Sequence, residues 1–370
     1  PNENAASSFV FRKDEIYSMY YDHDLVQYNS VTNSLKTRLL SEKKSKEFYD
    51  NTYPCMIFDP IRDEIIAGHV SRGITVYEPA TGHQQQIKWS ELCPRCELPI
   101  KVNVMLKTAN GYWLGTSNGL FWYEDSMNKV NQLIPADSDP IIHVFKVGKD
   151  LWYRTTNNFG QLSADLKRKL STFSLNGIKM SQINVIDKVI YFSSYYNGLF
   201  YFDTTQKQAL RPLAIAGNKD GFDSADCNTV LKDSIDGRFF LWIGTWNNGL
   251  YQYDISNKTI IRYDNSNGLP SDKIVNMGRD RNQSIWLGLD GHGLVQLLDK
   301  KKLRWRQFVQ QKEVGGMPSN KVIAFSPDNR GTLWFSTGAS GLSAIIQKNN
   351  TVFIQYYRDN NDFPHNNVND

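Results

Sequence analysis

The chain has 370 residues and a formal net charge of only +4, because 42 Lys and Arg residues are offset by 38 Asp and Glu residues. This balance disfavours a nucleic-acid-binding protein, which would carry a concentrated basic face. The sequence has no run of 18 apolar residues, so we expect no membrane-spanning segment in it. Aromatic residues make up 13% of the chain, a proportion that favours β-strands packed through their rings.

One short pattern recurs from end to end of the chain. Each copy has an aromatic or aliphatic anchor residue among strand-forming residues, and most copies have Gly or Ser two residues later and a Gly after the next turn. The mean spacing of the anchors, about 45 residues, fits the ~40–50 residues of a propeller blade better than the ~34 of a helical-hairpin repeat. In chain order the eight anchors are Tyr17, Ile66, Trp113, Trp152, Tyr191, Trp242, Trp286 and Trp334.

The copy anchored at Trp286 shows the expected strands most clearly. It predicts strands at residues 273–277, 284–288, 293–298 and 303–309, separated by turn-forming residues. Closing such blades into a ring leaves only short, protected strand edges. The sequence therefore predicts an all-β protein, a β-propeller of four-stranded antiparallel blades with eight repeat units, in one domain over residues 1–370. Two arrangements stay open: an eight-bladed ring, or a seven-bladed ring whose eighth unit begins a second propeller.

The segment that leads into the first strand of a blade has its own pattern. Residues 268–273 read Gly-Leu-Pro-Ser-Asp-Lys, and related segments occur at 316–321 and 363–368. Because the last copy stops where a first strand would begin, we expect either that the natural chain continues past Asp370 or that Asn367 and Val368 pair within the first blade. Uneven repeat lengths also predict a loop insertion at 87–99.

No motif in the sequence indicates catalysis. It lacks the GxSxG, HExxH, P-loop and dinucleotide-binding glycine patterns, so we predict a non-enzymatic fragment that needs no cofactor. Scattered carboxylates leave a glycosidase pair open as an alternative.

Metal sites are also disfavoured. Asp22-His23-Asp24 puts adjacent ligands in a turn without a distant partner, and residues 264–268 lack the downstream Glu of a calcium loop, so a plain turn is expected there. Cys93 and Cys96 form a CxxC without the second pair that a zinc site needs. A local disulfide and two free thiols are both compatible with this spacing.

The candidate ligand-binding residues are in the turns between the second and third strands. In an antiparallel four-stranded blade these turns emerge at the same end as the lead-in segments, so they converge on one face. Aromatic rings that stack on sugars, beside amides and carboxylates that bind hydroxyls, suit a carbohydrate. Alternatively, the Asn, Asp and Gly residues are there because turns need positive φ, which does not account for Trp246 or Tyr195. The candidates are Arg72, Asn118, Asn158, Tyr195, Tyr196, Trp246, Asn247, Asp290 and His292.

The repeat resembles that of the two-component regulator propeller family. The resemblance rests on residues 269–275 (LPSDKIV), 284–288 (SIWLG) and 241–254 (LWIGTWNNGLYQYD), and it extends loosely over residues 10–370. It implies the periplasmic sensor region of a hybrid two-component histidine kinase, of the kind that gut bacteria use to detect oligosaccharides. It also implies partners: further propeller, β-sandwich and kinase domains of the same chain, and a possible homodimer.

Three functions are therefore open. The leading hypothesis is a non-catalytic sensor module that binds an oligosaccharide and signals across the membrane through a rearrangement of subunits. A polysaccharide-acting lyase or hydrolase is the second, and a protein–protein interaction scaffold is the third. An aromatic-lined groove at one face without paired titrating groups would favour the sensor. A conserved acid or Tyr/His pair lining the central channel would favour the enzyme, and a flat apolar face would favour the scaffold.

Overall fold

The structure is a computed structural model with two compact units, Pro1–Asn176 and Gly177–Asp370. It describes residues 5–20, 24–29, 31–32, 34–39, 54–94, 96, 99–124, 129–135, 139–163, 169–217, 219–311, 317–327, 332–337, 341–348, 351–357 and 367–368.

Unit 1 contains four antiparallel sheets, each with four strands of this unit in chain order. Sheet 1 contains β1 (Ala5–Arg12), β2 (Glu15–Tyr20), β3 (Asp24–Asn29) and β4 (Ser34–Leu39). Sheet 2 contains β5 (Cys55–Asp59), β6 (Glu64–Gly68), β7 (Gly73–Tyr77) and β8 (Gln84–Lys88), and is followed by the helix α1 (Trp89–Leu92). Sheet 3 contains β9 (Val102–Thr108), β10 (Gly111–Thr116), β11 (Gly119–Glu124) and β12 (Lys129–Pro135). Sheet 4 contains β13 (His143–Val147), β14 (Asp150–Arg154), β15 (Asn158–Leu162) and β16 (Lys169–Ser174).

Unit 2 contains four more sheets built in the same way. Sheet 5 contains β17 (Met180–Ile186), β18 (Val189–Ser194), β19 (Leu199–Asp203) and β20 (Arg211–Pro212). Sheet 6 contains β21 (Cys227–Ile235), β22 (Arg238–Thr245), β23 (Leu250–Asp254) and β24 (Ile260–Tyr263). Sheet 7 contains β25 (Ile274–Arg279), β26 (Ile285–Leu289), β27 (Gly293–Asp299) and β28 (Arg304–Phe308). Sheet 8 contains β29 (Val322–Pro327), β30 (Leu333–Thr337), β31 (Gly341–Lys348) and β32 (Thr351–Tyr357). Short 3₁₀ helices at Phe222–Ser224 and Asn265–Asn267 precede sheets 6 and 7, and β33 (Asn367–Val368) follows sheet 8.

Each repeat found in the sequence corresponds to one sheet, with its anchor in the second strand. The strands predicted around Trp286 agree with β25 to β28 to within two residues at every boundary. The predicted fold class, an all-β propeller of four-stranded antiparallel blades, is therefore confirmed. That all eight sheets form one domain stays a prediction. The insertion expected at 87–99 was placed too early, because Ile87 pairs with Ile74 as part of β8.

Within each unit, anchors form the core by packing against the sheet that follows. Trp242 of sheet 6 clusters with Ile274 and Leu287 of sheet 7, and it has no exposed surface. Trp113 of sheet 3 clusters in the same way with Leu151 and Tyr153 of sheet 4. A large ring in the second strand thus buries apolar surface of two sheets at once, which a single four-stranded sheet cannot do alone.

The glycine two residues after several anchors provides space for the next sheet. A Cβ atom on Gly244 would lie 2.7 Å from Cγ2 of Ile274 and 2.8 Å from Cγ2 of Thr229. At Gly68 and Gly115 the equivalent Cβ would lie 2.7 Å from Val102 and from Ile141, respectively. Any larger residue must push the following sheet away, because protein cores are too densely packed to absorb the extra volume.

We expect Gly244→Val to lower the free energy of unfolding by about 1–3 kcal/mol through this overpacking. The measurement is chemical denaturation followed by tryptophan fluorescence. Ile261→Val is the control, since Ile261 is 53% exposed on the outer strand β24 and its loss of one methyl should cost less than about 0.5 kcal/mol. A Gly244→Val protein as stable as the control would contradict the close approach of sheets 6 and 7.

At the end of the strands opposite to these glycines, a buried carboxylate joins sheets 2 and 3. Asp59 ends β5 and has no exposed surface. It accepts a 2.7 Å hydrogen bond from the hydroxyl of Tyr112 and forms a 2.7 Å ion pair with Nζ of Lys107. Burial opposes its ionisation, but the bonds from Lys107, Tyr112 and the Ile61 N–H outweigh burial and lower the pKa of Asp59.

Carboxylates have the same role in sheets 6 and 7, where they also bind the anchor rings. The indole N–H of Trp286 donates to Oδ2 of Asp280 at 2.8 Å, and that of Trp242 approaches Oδ2 of Asp233 at 3.4 Å. Asp233 also pairs with Nζ of Lys300, from the following sheet, at 2.7 Å. The carboxylates therefore hold anchor side chains in place and connect neighbouring sheets.

The Asp59 contacts predict a specific dependence of stability on pH. Because the folded-state pKa of Asp59 lies below the unfolded value of about 3.9, its ionised form stabilises the fold above that value, and this stability is lost as pH falls through the folded pKa. We expect Asp59→Asn to cost about 2 kcal/mol above pH ~5, because it leaves Lys107 without its anionic partner, and to cost progressively less below pH ~4.

Chemical denaturation between pH 2.5 and 7 checks this expectation. Glu91→Gln, on the exposed surface of α1, is the control and should follow the wild type throughout. A constant difference between Asp59→Asn and wild type across this range would show that the Asp59 ion pair does not contribute as described.

Candidate functional site

The turns between second and third strands in unit 2 are held in place by lead-in dipeptides, the two residues before a first strand. In sheets 6 and 7, the carbonyl of the first dipeptide residue accepts the N–H of the glycine that ends the preceding sheet's turn. The carbonyl of the second dipeptide residue accepts the N–H of the first turn residue of its own sheet. Adjacent turns are thus joined through one dipeptide. The bonds run from Gly198 to Ala225 (2.9 Å), Trp246 to Asp226 (2.8 Å), Gly249 to Asp272 (2.9 Å) and Asp290 to Lys273 (3.1 Å).

Three aromatic residues in two of these adjacent turns face solvent. Tyr195 and Tyr196, in the sheet 5 turn, are 44% and 68% exposed, and Trp246, in the sheet 6 turn, is 38% exposed. Both turns contact the dipeptide Ala225–Asp226. The structure therefore brings together three of the residues selected from the sequence, and they supply ring surface on which an apolar sugar face can stack.

Tyr196 has a backbone conformation that disfavours a tyrosine. Its φ is 61°, and the residue at the same place in the sheet 7 turn is Gly291, with a φ of 72°. A bulky residue at positive φ is uncommon, and such strain is characteristic of functional sites. The positive φ of these two turns is thus found at Tyr196 and at glycines. The sequence-based alternative assigned it to Asn, Asp and Gly residues, and of these only the glycines adopt it here.

The other candidates in unit 2 have partly structural roles. Oδ1 of Asn247 accepts the N–H of Asp226 at 3.0 Å, so this amide helps to fix the dipeptide. Nδ1 of His292 lies 3.0 Å from the carbonyl oxygen of Asp290, and His292 is exposed. The carboxylate of Asp290 and the imidazole of His292 remain candidates at the next turn along.

The candidates in unit 1 also lie at the ends of second and third strands, and all three are half-buried. Each is positioned by a hydrogen bond from its own N–H to a side chain of the same turn. These bonds join Arg72 to Nδ1 of His69 (2.9 Å), Asn118 to Oγ1 of Thr116 (3.0 Å) and Asn158 to Oγ1 of Thr155 (2.9 Å).

Sheet 4 adds a polar cluster that the sequence did not reveal. Asp139 accepts bonds from the Thr155 hydroxyl at 3.0 Å and from the Asn157 side-chain amide at 3.0 Å. Nη1 of Arg154 lies 3.4 Å from Nδ1 of His143. Burial and, to a lesser extent, the nearby Arg154 charge lower the pKa of His143 to about 4. His143 is therefore neutral at physiological pH and suited to hydrogen bonding.

Asp226 is a second residue that sequence reasoning missed. It is 5% exposed, and its buried Oδ1 has no hydrogen-bond partner among the described residues. Burial raises the pKa of this carboxyl group. Its departure from the Lys found at the same place in other repeats (Lys179, Lys273 and Lys321) is the signal that could have identified it.

The remaining sequence features have structural roles. Cys93 and Cys96 form a disulfide, which selects between the two alternatives for this CxxC. Residues 264–268 form the predicted turn, in which the Asp264 carboxylate accepts the Ser266 N–H at 2.9 Å. Asp22 and His23 lie outside the described residues. In the described part of the chain, no three His, Cys, Asp or Glu residues cluster as metal ligands.

A small depression lies at the other end of sheet 5. Its cavity volume is about 10 Å³, far below the ~300–1,000 Å³ of ligand pockets. It exists because β20 has only two residues and leaves the edge of β19 partly uncovered. It is lined by Tyr201, Asp203, Gln206, Gln208, Ala209 and Arg211. Its size makes it a weaker candidate than the exposed aromatic turns.

No helix in the described ranges has the length and apolar character needed to cross a membrane.

Comparison with known proteins supports the repeat and the fold. Residues 316–339 match the sequence profile of the family described as Two component regulator propeller. No curated protein sequence matches the chain. Among solved structures, the computationally designed Ika8 protein has a TM-score of 0.59 and 12% identity, over 96% of this chain and 97% of that one.

Longer natural proteins are also similar. The extracellular domain of a putative one component system from B. thetaiotaomicron is 18% identical, with a TM-score of 0.43, over 98% of this chain and 50% of that one. The extracellular domain of a putative hybrid two component system from the same organism is 15% identical, with a TM-score of 0.43, over 94% and 51%. The chain therefore spans about half the length of these domains.

The match at residues 316–339 includes the lead-in segment of sheet 8, a pattern also present at 268–273, and its anchor Trp334, a feature of every repeat. The resemblance recognised from the sequence is therefore confirmed, and the chain is a β-propeller protein that carries the two-component regulator propeller repeat.

Proposed function

We propose that this protein is a non-catalytic, periplasmic sensor module of a hybrid two-component system that binds an oligosaccharide. The observation that carries the proposal is the set of exposed aromatic residues on adjacent turns, Tyr195, Tyr196 and Trp246, with Tyr196 held at a positive φ. Neither the fold nor the turn requires these rings, since Asp290 and Gly291 occupy the equivalent positions in the sheet 7 turn. Ring surface beside hydrogen-bonding groups is what a sugar-binding surface needs.

Two further observations support the cellular role. The repeat profile at residues 316–339 is that of a two-component regulator. The Cys93–Cys96 disulfide suits the oxidising periplasm, since disulfides are rare in the reducing cytosol. The signal would cross the membrane through other domains of the same chain, after a rearrangement of subunits in a homodimer.

We expect Tyr196→Gly and Trp246→Ala to weaken oligosaccharide binding by about tenfold each, equivalent to about 1.4 kcal/mol, because each removes a stacking surface. Tyr196→Gly should leave the free energy of unfolding within about 1 kcal/mol of wild type, because relief of the positive φ offsets the added freedom of the unfolded chain. Phe239→Ala is the control: Phe239 is 51% exposed in the first hairpin of sheet 6, at the other end of its strands, and should not affect binding.

The measurement is calorimetry against cellohexaose, xylohexaose, maltohexaose, mannohexaose, and hyaluronan and chondroitin sulfate hexasaccharides, with chromatography of each mixture afterwards. Saturable binding with the sugar recovered intact supports the sensor. Shortened or unsaturated products would establish a polysaccharide-acting enzyme instead, and the absence of binding to all six would contradict a glycan sensor.

A further inference from the structure

Asp226 is buried in a way that destabilises the fold. Only 5% of the residue is exposed, and its Oδ1 has no hydrogen-bond partner in the part of the chain that the structure describes. The thiol of Cys227, the next residue, is fully buried, and the Asp226 charge helps to raise its pKa. No cation pairs with this carboxylate among the ion pairs of the described residues, in contrast to Asp59 and Asp233. A desolvated, incompletely bonded carboxylate costs free energy in the folded state.

The structural role of this position does not need a carboxylate. The backbone carbonyl of Asp226 accepts the N–H of Trp246, as the carbonyls of Lys179 and Lys273 accept those of Tyr195 and Asp290 in sheets 5 and 7. Lysine therefore serves the backbone equally well, and both of those lysines are exposed. The Asp226 side chain is thus a departure from the repeat that these backbone bonds do not explain, and such departures are expected at functional sites.

The surroundings of Asp226 match the proposed glycan surface. Its N–H donates to Oδ1 of Asn247 at 3.0 Å, and its carbonyl binds the exposed Trp246. The turn carrying Tyr195 and Tyr196 contacts the preceding residue, Ala225, through Gly198. The carboxylate therefore belongs to the segment that connects the two aromatic turns.

We propose that Asp226 accepts hydrogen bonds from ring hydroxyls of a neutral sugar unit stacked on the adjacent aromatic side chains. This inference rests on the proposed function and narrows its ligand class. Hydroxyl donors supply the partners that the carboxylate lacks in the folded chain, and bonds to a charged acceptor are the stronger kind. A sugar carrying its own carboxylate or sulfate here is disfavoured, because two like charges would meet at a site of low exposure.

The test is to measure stability and affinity together in Asp226→Asn and Asp226→Ala. Asp226→Asn removes the buried charge but preserves the shape, so its thermal midpoint should rise by about 2 °C. The same substitution should weaken binding of the tightest neutral hexasaccharide by about tenfold, and Asp226→Ala should weaken it further, because both acceptor oxygens are lost. A purely structural residue would not show these opposite effects on stability and binding.

Asp223→Asn is the matched control. Asp223 lies in the same connection, is 62% exposed on its side chain and pairs with Lys219 at 2.6 Å, so both its midpoint and its affinity should equal those of wild type. Unchanged affinity in Asp226→Asn, a lowered midpoint, or binding of only the two acidic hexasaccharides overturns this inference while the sensor proposal stands. If none of the six sugars binds to the wild type, the proposed function fails and this inference fails with it.

Discussion

The close approach of neighbouring sheets within each unit is the contact on which the rest of that unit depends. A second-strand ring such as Trp242 packs on the next sheet, and Gly244 leaves room for Ile274 to reach it. Neither feature helps a sheet in isolation, because four short strands bury too little apolar surface. Stability in each unit therefore comes from repeated pairwise contacts between neighbours, as in other repeat proteins.

Polar groups reinforce this contact at both ends of the strands. Near the first hairpins, Asp59 binds Tyr112 and Lys107 of the next sheet. At the other end, dipeptides such as Ala225–Asp226 bond to the turns of two adjacent sheets through backbone carbonyls. Because backbone carbonyls form the bonds of these dipeptides, the side chains of the dipeptide residues can vary without breaking them. The same backbone bonds can therefore form in repeats that carry Lys at this position and in one that carries Asp.

Two residues of the candidate binding surface lower the stability of the fold. Tyr196 occupies a positive φ that Gly291 adopts without strain, and Asp226 is buried with an oxygen that has no partner in the described structure. Both features are unfavourable for folding. Tyr196 lies in the sheet 5 turn, and Asp226 lies in the dipeptide that joins this turn to the sheet 6 turn. Their coincidence is the strongest physical argument that this end of unit 2 binds a ligand.

The sequence by itself determined the fold class, the eight repeats, the buried anchors and the strands around Trp286 to within two residues. It could do so because these features are local and periodic: an anchor, a glycine and a turn recur at fixed spacing. It also selected Tyr195, Tyr196 and Trp246 as candidates, and it distinguished Tyr195 and Trp246 because no turn requires such rings. Only the tertiary structure identified the strain at Tyr196, the Cys93–Cys96 disulfide and the buried carboxylate of Asp226. Burial, backbone strain and unsatisfied hydrogen bonding depend on what neighbouring segments bring to a residue, and no pattern along the chain records that.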